Sequence, residues 1–204
     1  MLLDHIYNKS CEYMDDLDDK SVHLVVSSPP YFSLKDYSTW NDYTSYLDFI
    51  KIVLHECYRV LSPGSWICWN VQDSIPFPPS KTGKERYSEP LVADSIKALQ
   101  AVGFSYERDI IWYKGKGTAT QKLFGSFPSP SLILVSGLTE HIITARKPRG
   151  KYKRTIPDDI KKRSELTKEE WGKWAVDLWN IPPAKCKFHP AIFPVAIPYW
   201  LIRL

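Results

Sequence analysis

The chain has 204 residues, 44% of them hydrophobic and 25% charged, with a net charge of +4. That length allows one domain with a sizeable core, and the composition is that of a soluble globular protein. No apolar run approaches the roughly 18 residues of a membrane span, Met1-Leu2-Leu3-Asp4-His5 lacks a signal-peptide pattern, and Cys11, Cys57, Cys68 and Cys186 form no C-x-x-C pair.

A reduced, cytoplasmic protein without membrane contact or structural zinc is therefore expected, and the slight positive charge is a mild pointer to a polyanionic partner. Eight tryptophans and twelve tyrosines leave rings to spare for stacking or for lining a groove.

In chain order, the acidic residues 12–19 read as helix-like. Residues 22–26 (Val-His-Leu-Val-Val) form an apolar run that reads as a short buried strand. Ser27-Ser28-Pro29-Pro30-Tyr31 ends it, because each proline lacks an N–H and fixes φ. Residues 36–40 are polar and aromatic, a loop suited to closing over a ligand. Over residues 43–61 apolar side chains recur at spacings of three and four, predicting an amphipathic helix that Ser62-Pro63-Gly64 stops. Residues 66–71 (Trp-Ile-Cys-Trp-Asn-Val) read as the next strand. The Pro-, Lys- and Ser-rich residues 74–90 read as a mobile loop, and residues 90–102 as a helix closed by Gly103.

Two further strands are expected at 108–114 and 139–146. The Gly- and Pro-rich connection between them is long for a compact domain unless it serves a function. Phe124 and Phe127 in that connection, and Trp112 in the strand before it, are aromatic side chains for which a ligand-facing role and a core role are about equally expected. Residues 146–163 carry nine basic side chains against two acidic ones, and read either as a phosphate-contacting segment or as a solvated face. Thr167 with Glu170 predicts a capping box at a helix start.

The chemistry is concentrated at Ser28-Pro29-Pro30-Tyr31. A stiff loop at the end of a buried strand sits where open α/β sheets bind ligands. It presents a hydroxyl, carbonyls that no proline N–H competes for, and an aromatic face. These groups suit a planar ring bearing an exocyclic amine, although the residues alone favour a plain strand stop with a surface tyrosine.

Ser28-Pro29-Pro30-Tyr31 resembles motif IV of the DNA amino-methyltransferases, which methylate cytosine N4 or adenine N6 with S-adenosylmethionine. The likeness extends over nearly the whole chain: "Arg-Val-Leu-Ser-Pro-Gly", "Asp-Ile-Ile-Trp-Tyr-Lys", "Thr-Glu-His-Ile" and "Phe-His-Pro-Ala-Ile-Phe-Pro" resemble later motifs of the subclass in which motif IV comes first. The departure at Lys9-Ser10, where Gly-Asp is frequent in the family, is modest.

The resemblance implies an α/β fold, a Rossmann-like methyltransferase sheet with an antiparallel hairpin at one edge, in a single unit over 1–204 with a DNA-contacting insert around 115–165. It makes Ser28, Pro29, Pro30 and Tyr31 catalytic: Ser28 and the Pro29 carbonyl orient the amine while Tyr31 stacks on a base flipped out of double-stranded DNA. It assigns the S-adenosylmethionine pocket to Ser28, His189, Pro190 and Phe193. It assigns DNA contact to Lys147, Arg149, Lys151, Lys153 and Arg154. A second ligand at metal spacing from His189 is lacking, so no metal is expected. Ser at the first motif position is more frequent in the cytosine-N4 enzymes than in the adenine-N6 ones.

The subclass follows its last motif here with a Gly-x-Gly cofactor loop. None appears by Leu204, and Gly115-Lys116-Gly117 opens no evident helix. The expectation is therefore the catalytic half of the sheet, with the motif IV strand at an open edge. A second polypeptide supplying the loop, an inactive DNA-binding subunit, or a truncated remnant would each account for it.

Overall fold

A computed structural model describes residues 3–32, 40–77, 87–115, 137–153, 155–184, 187, 192 and 194–204. The buried run becomes strand β1 (Val22–Ser27). Helix α1 (Tyr43–Val60) follows, opened by a capping box in which Asp42 accepts from the Ser45 backbone and Ser45 returns a bond to the Asp42 N–H. It leads into β2 (Leu61–Val71), which pairs parallel with β1. The strand begins at Leu61, earlier than the Trp66 start read from the sequence, because Leu61 already pairs with Val22 while Gly64 takes the turn-like φ of +83°.

The expected loop at 74–90 contains a two-stranded ladder instead, β3 (Ile75–Phe77) against β4 (Tyr87–Glu89). Helix α2 (Leu91–Val102) ends on Gly103 at φ +114°, where the N–H bonds back to Leu99 and Gln100; a Cβ there would touch the Tyr58 ring. Strands β5 (Ser105–Tyr113) and β6 (Thr139–Arg146) form the expected antiparallel pair, and β6 also pairs antiparallel with β2. Two short helices, α3 (Asp158–Arg163) and α4 (Lys168–Trp174), precede β7 (Leu178–Asn180) and α5 (Ala196–Arg203). The Thr167–Glu170 capping box is present at α4.

Among the described residues the main sheet runs β1-β2-β6-β5-β7. The hairpin is thus not at the outer edge, as expected, because β7 pairs parallel with β5 beyond it. β1 stands at the other edge.

Alternating side chains of this sheet feed two cores. On one face Ile67, Trp69, Val71, Ile143 and Ala145 pack against Tyr46, Ile50 and Leu54 of α1 and Leu99 of α2. On the other, Cys68, Ile110, Trp112 and Ile142 pack against Trp179, Ile181, Ile197 and Leu201. β1 serves both, with Val22 and Val25 on the first and Leu24 and Val26 on the second.

The acidic residues 12–19 are turns, not a helix. Arg59 explains why: its guanidinium donates to the Met14 and Leu17 carbonyls (2.9 and 3.0 Å) and to Asp19 and Glu56. The Met14 carbonyl also accepts from the Leu17 N–H at 2.9 Å, a three-residue turn bond, so Arg59 ties the segment down as successive turns. The thiols of Cys57 and Cys68 are pushed up to about 12 by burial, which makes them inert core side chains.

Candidate active site

The site follows from strand alternation carried two residues past the second core. Val26, Cys68, Ile142 and Trp112 share that face; two residues further toward the same end of the sheet lie Ser28, Asn70, Glu140 and Lys114. Four polar side chains from four chain segments therefore meet where the apolar face ends.

Glu140 is the centre of the cluster. It is buried, at 9% exposure, and both of its oxygens are engaged. Asn70 Nδ2 donates to Oε2 at 2.6 Å, the Tyr31 hydroxyl donates to the same oxygen at 3.1 Å, and the Lys114 ammonium pairs with Oε1. A carboxylate this deep would be costly without such partners. Lys114 also lies over the Trp112 ring, 5.2 Å from its centroid. Trp112 itself is 2% exposed and its indole N–H donates to the Ile181 carbonyl at 2.7 Å, so of its two candidate roles the core one holds.

Ser28, Pro29, Pro30 and Tyr31 are brought together at the carboxyl end of β1, with Pro29 buried and the others half-buried. Ser28 Oγ donates to the Tyr31 hydroxyl at 3.5 Å, a long contact. Burial first, then the Glu140 charge, pushes the Tyr31 phenol well above its ordinary range, which leaves it a protonated donor at neutral pH. Asn70 Oδ1 is buried with no hydrogen-bond partner among the described residues.

Glu140 and Lys114 fall within the quoted phrases Thr-Glu-His-Ile and Asp-Ile-Ile-Trp-Tyr-Lys, but no site role was expected of them, nor of Asn70. A signal was present: each is polar and sits at the end of an apolar strand, in phase with its inward-facing side chains.

Of the expected cofactor residues, Ser28 is in this cluster; His189, Pro190 and Phe193 lie outside the described residues, as do Phe124, Phe127 and Arg154. Lys147 requires a correction. It is 7% exposed, its ammonium donates to the Tyr58 and Leu61 carbonyls (2.8 Å to Leu61) and lies over the Tyr58 ring, so it is spent inside the protein and drops out of the DNA-contacting set. Arg149, Lys151 and Lys153 are exposed and have no acidic partner among the described residues. They are not brought to the site: β6 runs from Glu140 at the site end to Arg146 at the other, so this segment starts about 24 Å away at ~3.4 Å per residue.

A parallel strand–helix–strand unit extended by an antiparallel pair, with its polar cluster at the carboxyl ends of the parallel strands, is the class of Rossmann-like methyltransferases. The family profile of the DNA methylases (N6/N4 methyltransferases) matches residues 22–204, and the chain belongs to that family. It is 33% identical over 170 residues to the type II methyltransferase M.MjaVI of Methanocaldococcus jannaschii, covering 82% of this chain and 80% of that one. It is 29% identical to the type II beta methyltransferase M.BslI of a Bacillus species, over 98% of this chain but 22% of that protein. Among solved structures, a putative DNA modification methylase of Thermus thermophilus in complex with S-adenosyl-L-methionine superposes with a TM-score of 0.73 at 28% identity, covering 92% of this chain and 68% of that one.

Proposed function

We propose that this chain acts in transferring a methyl group to the exocyclic amine of a base flipped out of double-stranded DNA, and that the base is cytosine, methylated at N4. The observation that carries the reading is the Ser28-Pro29-Pro30-Tyr31 loop at the carboxyl end of β1, with a hydroxyl and a proline carbonyl available as acceptors. Accepting both amine hydrogens directs the nitrogen lone pair out of conjugation and toward the methyl donor. Tyr31, whose hydroxyl is tied at the ring edge to Glu140, is assigned the role of stacking on the base. Catalysis is then positioning and electrostatics rather than covalent chemistry on the enzyme.

The cofactor in this reading is S-adenosylmethionine, which supplies an electrophilic methyl group when bound. The residues present fit such a group: the Ser28 hydroxyl lies beside Tyr31 at the site, and the unpartnered Asn70 Oδ1 is a buried acceptor for an incoming donor. Serine in place of aspartate at the first motif position favours N4 over N6. Arg149, Lys151 and Lys153 serve the duplex flanking the target, since the flipped base itself lies at the other end of the sheet. A second polypeptide, where one takes part, would extend the open edge of β1.

The test is methylation of unmethylated genomic DNA by the purified chain, followed by digestion to nucleosides and mass spectrometry. N4-methylcytosine is the expected product. N6-methyladenine would overturn the choice of base, and no methylated nucleoside would overturn the activity.

A further inference from the structure

Methylating an amine creates a proton that must leave, and the cluster contains a directed path for it. Ser28 Oγ donates to the Tyr31 hydroxyl, and the Tyr31 hydroxyl donates to Glu140 Oε2 at 3.1 Å. Both bonds point the same way, from the loop toward the carboxylate. The Ser28 oxygen keeps a lone pair for the substrate amine. Resting on the methyltransferase reading above, we propose that Ser28, Tyr31 and Glu140 form a proton-exit relay, with Glu140 as its terminal acceptor.

The step balances. The amine nitrogen's lone pair forms the nitrogen–carbon bond as the carbon–sulfur bond breaks, its electron pair passing to sulfur. The nitrogen then holds one proton too many. That proton moves to Ser28 Oγ, the Ser28 proton moves to the Tyr31 oxygen, and the Tyr31 proton moves to Glu140 Oε2. Ser28 and Tyr31 end neutral, as they began, and the carboxylate has gained the proton. Transfer in this direction is downhill, because an alkylated exocyclic ammonium is a far stronger acid than a carboxylic acid. Asn70 and Lys114 hold both carboxylate oxygens, so Oε2 stays aimed at the phenol. Glu140 is 9% exposed, which keeps bulk water from substituting for it freely.

Three variants test the relay: Tyr31→Phe, which keeps the stacking ring and removes only the hydroxyl, Glu140→Gln, and the two together. Single-turnover methyl transfer to DNA is expected to slow about tenfold or more in each single variant. The dissociation constants for S-adenosylmethionine and DNA should stay within about twofold, and the wild-type solvent deuterium isotope effect should disappear. The double variant should be no slower than the worse single one, since a relay broken once is broken. Without cofactor, the carbon-13 signal of the labelled Tyr31 ring should shift in Glu140→Gln and the other tyrosines should not.

An unslowed Tyr31→Phe that keeps the isotope effect would overturn the relay and leave the methyltransferase reading intact, as would a loss confined to DNA affinity or an unmoved Tyr31 signal. A wild-type chain that methylates no DNA would overturn both.

Discussion

His141 shows how one residue along a strand reverses a side chain's role. Its neighbour Glu140 faces the site, whereas His141 faces the first core and bonds Asp109 through Nδ1, with Asp73 3.9 Å from Nε2. The Asp109 hydrogen bond holds the imidazole above its ordinary value of 6.5; burial works against this, and the charges of Asp109, Asp73 and Glu140 add to it. A group with a raised folded-state pKa stabilises fully below the unfolded value and loses that contribution as pH rises through the folded one. The thermal-midpoint gap between wild type and His141→Gln should therefore be largest below about pH 6.5 and close as the buffer turns alkaline. A gap that widened with pH would contradict the assignment.

At the scale of elements, the junction of α1, β2 and β6 depends on Lys147. Its backbone continues the β6 ladder, its N–H bonding Ser65 and its carbonyl accepting from Gly64, while its ammonium donates to the Tyr58 carbonyl in the last turn of α1 and to the Leu61 carbonyl that opens β2. Lys147→Ala leaves those carbonyls buried and unpaired. The expected cost is about 2 kcal/mol, the usual worth of charged hydrogen bonds, read as a lower urea midpoint. The salt dependence of DNA binding should not change. The sequence shows Lys147 only as one of nine basic residues in a run; its burial is visible only once Gly64 and Tyr58 are placed beside it.

For the whole molecule, the site and the exposed basic segment lie at opposite ends of β6, and the proposed function therefore assigns catalysis to one and duplex contact to the other. Lys151→Ala with Lys153→Ala should weaken DNA binding and reduce the slope of log affinity against log salt by about 2. The single-turnover rate at saturating DNA should stay unchanged. A fall in that rate at an unchanged slope would mean that these lysines act at the site rather than on phosphates.

Local chemistry accounts for what was legible beforehand. The prolines after β1, the three-and-four spacing of α1, the Gly103 stop and the Thr167 cap are all decided within a few residues, so the fold class and the motif loop could be read from the chain alone. The acidic residues 12–19 misled because Arg59, some forty positions away, captures their carbonyls. The place of β7 outside the hairpin depends on a pairing across more than sixty residues. The Glu140 cluster likewise depends on register, because only pairing β2 with β6 and β6 with β5 brings Asn70, Glu140 and Lys114 around the hydroxyl of Tyr31. The sequence by itself determined the strand, the loop and the chemistry that loop presents. Tertiary structure decided which distant charges surround it, since long-range pairing leaves little trace in local pattern.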